Sequence, residues 1–250
     1  MRKTSSSGFT LIELLVDIAI IGILATLMFP AISGAIESAN STQVTNQGKS
    51  IATCIMTENM SHQDDGQTIW PGDAYDIRDN GGSVVKAVTK DTYQTSSDYF
   101  DDLLEYNVVE QLKIGDFAGA GVPQPSGQDK LSTDRDKYNL WCCVAVREGT
   151  VSGDPPFIFT RNLKPSKKGL SDNALLNNDD YWREANDVWT KSGYPKPFGT
   201  SRCIVVTRGG SARQSRSKDM KPLTFWGDAK FSKVDQVVAL TTKDANGFLD

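Results

Sequence analysis

The sequence predicts an α+β fold: a long N-terminal helix, membrane-spanning in its first part, packed on a small antiparallel β-sheet domain with long loops. Three observations predict it. Residues 9–29 are apolar except for Thr10, Glu13, Asp17 and Thr26. Apolar residues then recur at helical spacing to about residue 60, with no proline after Pro30 in that stretch. Beyond it, short β-branched and aromatic runs alternate with glycine and proline turns.

The first element is the apolar run. At 1.5 Å per residue a 21-residue helix is about 30 Å long, the thickness of a bilayer core. Arg2 and Lys3 precede it and place that end in the cytoplasm, with the bulk of the chain across the membrane. Three readings compete. A cleaved secretory signal explains the charged start, and Ser33-Gly34-Ala35 would serve as its cleavage site. An ordinary membrane anchor explains the length. Neither accounts for Glu13 and Asp17, since a carboxylate near the middle of a bilayer costs roughly 2.5–3.5 kcal/mol. Helix–helix assembly supplies a reason for them.

Gly8-Phe9-Thr10-Leu11-Ile12-Glu13-Leu14-Leu15, followed by Ile18-Ala19-Ile20-Ile21-Gly22-Ile23-Leu24-Ala25, closely resembles the N-terminus of type IV pilins and type II secretion pseudopilins. The resemblance covers residues 8–30 in detail. It implies a leader (1–8), a transmembrane and filament-core helix (9–30), a helix continuation on the globular domain (31–60) and an exported α+β domain (61–250). It implies cleavage by prepilin peptidase between Gly8 and Phe9 and methylation of the new Phe9 amine. It also implies that Glu13 neutralises the N-terminus of a neighbouring subunit and that the helix bends at Pro30. Pairing two charges inside hydrocarbon would fix the register between helices. Proline removes one backbone hydrogen bond, which accounts for the bend. The implied partners are the chain itself, other pilin-like subunits, the peptidase, an inner-membrane assembly platform and membrane lipid. The implied location is the bacterial inner membrane, N-terminus cytoplasmic and C-terminal domain periplasmic, then a filament. The alternative function is a secreted or anchored binding protein with an ordinary signal.

Asp17 departs from the family pattern, where an apolar residue is usual. It lies four residues after Glu13, so the two carboxylates share a helix face. The plainer reading is a substitution tolerated in protonated form. The sharper one is a pairing with a basic or polar group on a different subunit.

After the apolar run, Ile32, Ala35, Ile36 and Ala39 form one patch and Ile51, Cys54 and Ile55 another. Residues 40–50 between them are polar and weakly helical, with Gly48 inside. The second patch is read as domain core. The helix ends near residues 61–66, where polar residues and glycine dominate. Strands are expected at 83–89, 141–147, 157–161 and 203–208, and short helices at 99–112 and 178–190. Residues 223–231 and 236–241 are expected to close the chain as a hairpin.

With 38% hydrophobic residues, 21 Gly and 10 Pro, the remainder reads as loop-rich with a modest core. A net charge of −4 argues against nucleic-acid binding across the whole surface. The charge is uneven: residues 58–116 hold 13 acidic and 4 basic side chains, residues 202–221 hold 1 acidic and 6 basic. The basic stretch (Arg202, Arg208, Arg213, Arg216, Lys218, Lys221) is read as complementing the acidic one, internally or on the next subunit. Nucleic acid is an unlikely partner, because interleaved aromatics are lacking before Phe225 and Trp226.

Cys54, Cys142, Cys143 and Cys203 fit neither a zinc site nor a redox pair. In an oxidising compartment Cys203 would bridge to Cys142 or Cys143; otherwise all four are small buried residues. Asp73, Asp76 and Asp79 supply oxygens at spacing three, a weak calcium signal that does not fit an EF-hand loop. A solvated acidic loop is preferred, so no cofactor is expected. His62, the single histidine, is read as a solvated loop residue. No P-loop or HExxH pattern occurs, and no enzyme activity is expected.

Overall fold

A computed structural model describes residues 10–61, 66–79, 81–119, 130–131, 139–163, 202–216 and 222–241. The first element, α1, spans Leu11–Ser61, within a residue of the expected helix at either end. By its internal contacts the chain divides into two units, one through Ala39 and one from Asn40. In the first unit every described residue of α1 is exposed except half-buried Ala25. In the second, Ser41, Val44, Gly48, Ile51, Ala52, Ile55 and Asn59 are buried. These positions recur at three and four, one stripe of a helix laid on a core. The polar stretch 40–50 therefore does not interrupt the packing, because Ser41, Val44 and Gly48 carry the stripe through it.

The body is a five-stranded antiparallel sheet in the order β7-β6-β5-β3-β9. Its strands are β3 (Trp141–Val146), β5 (Pro156–Thr160), β6 (Arg202–Thr207), β7 (Ala212–Arg216) and β9 (Val237–Leu240). Two small pairs accompany it: β1 (Tyr75–Arg78) with β2 (Val84–Val88), and β4 (Val151–Ser152) with β8 (Lys230–Phe231). The strands expected near 83, 141, 157 and 203 are all present.

Alternation along β3 explains the layers. Trp141, Cys143 and Ala145 join Val44, Ile51 and Ile55 of α1, together with Tyr99, Phe100 and Leu103, in one core. Cys142 and Val144 point the other way, into a second core with Phe159, Cys203, Val205, Phe225, Trp226 and Val237. All six β3 residues are buried, so both faces of the sheet are covered. The second cover includes a short helix, α3 (Pro222–Trp226).

Three expectations are corrected. The helix expected at 99–112 is α2, Ser96–Glu105. It starts earlier because the Thr95 side chain caps it, accepting from the Asp98 amide at 3.1 Å. It stops because Asn107 takes a left-handed conformation (φ 50°), and the Val108 amide turns back to the Leu103 carbonyl at 3.0 Å. The expected terminal hairpin does not form: residues 222–226 are helical, β8 pairs with β4, and β9 pairs with β3. The expected bridge from Cys203 to Cys142 or Cys143 is also absent, and all four cysteines are thiols. Strand β5 stands between β3 and β6, so these positions are two strand spacings apart, about 9.5 Å. A disulfide tolerates less than about 7 Å between Cα atoms. The expected helix at 178–190 and His62 lie outside the described residues.

Candidate processing and assembly segment

Gly8 and Phe9 lie just before the described residues, which open at Thr10 with an N-terminal cap. The Thr10 amide and hydroxyl both donate to Glu13 Oε2, at 2.9 and 2.8 Å, and the Glu13 amide donates back to Thr10 Oγ1 at 3.3 Å. This reciprocal arrangement is a capping box. Its signature, Thr-x-x-Glu directly before an apolar run, stands in the sequence. It gives Glu13 a local task beside the one implied by resemblance, and it identifies Thr10 as a site residue that the sequence reading passed over.

One turn further, Asp17 is exposed among Leu14, Ile18, Ile20 and Ile21, which are also exposed. The helix continues through Pro30, which lies inside α1. Two hydroxyls bond backwards to the helix near it: Thr26 to the Gly22 carbonyl at 2.8 Å and Ser33 to the Phe29 carbonyl at 3.1 Å. Such back-bonding hides a hydroxyl within an apolar surface. This stretch of α1 is long and apolar enough to cross a membrane, and none of its apolar window is buried among the described residues. Large side chains such as Leu11, Ile21, Leu27 and Phe29 all face outward.

The segment is thus an apolar helix opened by a capped glutamate. Residues 3–29 match the family model of the prokaryotic N-terminal methylation motif. The stretch is a prepilin-type methylation segment. Comparison with curated proteins and with solved structures gives no match. The matched segment contains Gly8, Phe9 and Glu13, the positions named from the resemblance, and also Asp17, which departs from the family pattern; Pro30 lies one residue beyond the match.

The other sequence signals fall in the second unit. Asp73, Asp76 and Asp79 are not gathered around a common point but take separate local partners. Asp73 accepts from the Thr68 hydroxyl, Asp76 pairs with Arg78 at 3.5 Å, and Asp79 Oδ1 accepts from the Gly81 and Ser83 amides at 2.9 and 2.8 Å. Among the described residues no group of three or more metal-ligating side chains is assembled.

The basic stretch is partly spent inside the domain. Arg208 lies over the Trp70 ring, 4.9 Å from its centroid. Burial lowers the pKa of Arg208 while the Asp73 charge opposes that shift, and burial raises the Asp73 carboxyl. Arg213 donates to the Thr224 and Phe225 carbonyls at 3.1 and 3.2 Å, closing α3 onto β7. Arg208 thus feels the charge of Asp73 without forming an ion pair with it; Lys218 and Lys221 lie outside the described residues.

Proposed function

We propose that this chain is a structural subunit of the pilin or pseudopilin kind and not an enzyme. Prepilin peptidase cuts it after Gly8, the Phe9 amine is methylated, and residues 9–30 hold it in the bacterial inner membrane. The N-terminus is then cytoplasmic and the C-terminal domain periplasmic. Subunits leave the membrane by bundling these helices, with other pilin-like chains, on an inner-membrane assembly platform, into a type IV pilus or a type II secretion pseudopilus.

The observation that carries this reading is the bare apolar surface of α1 within a prepilin-type segment. So large an exposed apolar surface is stable only in lipid or against other helices. Inside lipid, association draws little on the hydrophobic effect, so close packing at small residues such as Ala19, Gly22 and Ala25 must supply it. Glu13 sets the register by meeting the neighbour's amine. Tight approach of the peptidase to an extended backbone explains glycine before the cut.

The test is intact mass and N-terminal sequencing of the protein from membranes of its native host. A chain starting at Phe9 and heavier by one methyl group is expected. A chain starting near Ile36, after Ser33-Gly34-Ala35, would overturn the reading in favour of a secreted domain.

A further inference from the structure

We propose that Asp17 is the docking residue for a second, non-identical apolar helix that carries a positive charge at the level of Asp17. The proposal rests on the reading of the chain as a processed filament subunit and names a partner for it.

Its basis is a charge imbalance. Glu13 is held by the amide and hydroxyl of Thr10. That cap uses no atom of residues 1–8, so it survives cleavage after Gly8. Among the described residues, Asp17 makes no side-chain hydrogen bond or ion pair. Its neighbours one turn away are Glu13, Leu14, Ile20 and Ile21, and none of these side chains can donate to it. Serine and threonine hydroxyls in this part of α1 are committed elsewhere: Thr26 to Gly22, Ser33 to Phe29. Nothing on its own helix satisfies the carboxylate.

Identical copies do not satisfy it either. After cleavage, residues 9–29 carry the Phe9 amine as their one positive group, against Glu13 and Asp17 as negative ones. Within this segment each copy is short of one positive charge. A bundle of these helices alone therefore leaves one carboxylate per copy unmatched in an apolar core, which is unfavourable. A different helix removes that cost if it brings a basic side chain, or an N-terminal amine that its own carboxylates do not claim. Asp17 lies eight residues beyond Phe9, so the cation must sit about 12 Å along the axis from the Phe9 end. The chemistry recognised is a cation on an apolar helix, and the partner is a chain other than this one.

The experiment places a photo-cross-linking amino acid at Ile21, one turn beyond Asp17, in the full-length chain in native host membranes. Wild type and D17N are compared, with D17L as a second variant. Asparagine keeps the shape of aspartate, so a loss in D17N cannot come from packing. The expected product joins this chain to a different protein. Peptide mass spectrometry should identify it as a single apolar helix with a basic group or free amine at the cross-linked level. Its yield should fall at least tenfold in both variants. Cross-links between copies of this chain alone, equal in wild type and D17N, would overturn the proposal and make Asp17 a neutral member of a homopolymer. Equal heterologous yields in wild type and D17N, or no cross-link at all, would overturn it too. Intact mass of the same samples reads processing separately: a chain that does not start at Phe9 refutes the filament reading itself, whatever the cross-links.

Discussion

Gly48 of α1 faces the indole of Trp141 on β3 so closely that a methyl group added at Gly48 would stand 2.6 Å from Trp141 Cη2 and 2.9 Å from Val206 Cγ2. The helix and the sheet meet here nearly backbone to side chain. G48A should therefore destabilise the domain even though alanine favours a helix by about 1 kcal/mol over glycine. Overpacking a tight core costs about 1–3 kcal/mol, so a net loss of up to about 2 kcal/mol is expected in urea unfolding of the full chain in detergent. A G48A variant as stable as wild type would show that α1 does not seat on Trp141.

Asn139 joins three elements. Its amide nitrogen donates to Ser97 Oγ at 2.8 Å and to Ser96 Oγ at 3.2 Å, and its side-chain oxygen accepts from the Trp141 amide at 2.9 Å. Its carbonyl also accepts from Arg161 at 3.1 Å. N139A would strand buried partners at a cost of about 1–3 kcal/mol each. A loss near the upper end of that range, in the same unfolding measurement, is expected.

Glu148 is shared by Lys90 and Lys233, the latter at 2.8 Å, and the two lysines hold its carboxyl down to about 2. Its ordinary value is 4.5, so the folded state binds its proton less readily than the unfolded chain. The contribution is fully present above the ordinary value and is lost as pH falls from there toward about 2. The site is solvent-exposed, so salt should weaken the effect. E148Q should flatten the unfolding midpoint across that acid window at low salt and change little at high salt.

The thiol state of the cysteines is a direct check on sheet order. Alkylation after unfolding without reductant should add four labels to the chain, one for each cysteine. Burial pushes the Cys143 thiol well up, so labelling of the folded protein should spare it. Two labels instead of four, with peptide mapping that joins Cys203 to Cys142 or Cys143, would mean that β5 does not lie between β3 and β6.

Gly8→Val should block processing, since a branched side chain next to the scissile bond keeps the backbone from the peptidase carboxylates. Intact mass would then show the leader still attached while the protein remains in the membrane fraction.

Much of this was legible in the sequence because it rests on local periodicity. The apolar run, the stripe of Ile51 and Ile55, and the strands around Cys143, Ile158 and Val205 all declare themselves within a few residues. The segment at 3–29 was legible for the same reason, as a fixed pattern around Gly8, Phe9 and Glu13. What escaped depends on partners distant in the chain or on turn geometry. Residues 223–231 carry enough aromatics for a strand, but Phe225 and Trp226 are used to roof the outer face of the sheet. The end of α2 is set by one left-handed asparagine, Asn107, and not by the apolar spacing that runs on to Leu112. Gly48 looked like a weakness in the helix, and only the position of Trp141 turns it into a requirement. Disulfide pairing could not be read because it depends on strand order. The Thr10–Glu13 cap, by contrast, was visible and was masked by attention to the role implied for Glu13 alone.

The two cores share β3, β5 and β6 as a common wall, since alternate side chains of the same strands feed both. Neither side can therefore mature while the other waits. α3, from near residue 222, must reach the sheet before the α1 side gains its full support. The domain is thus committed to its shape only once nearly all of its chain is available. Until then its apolar strand faces stay open to one another and to other chains.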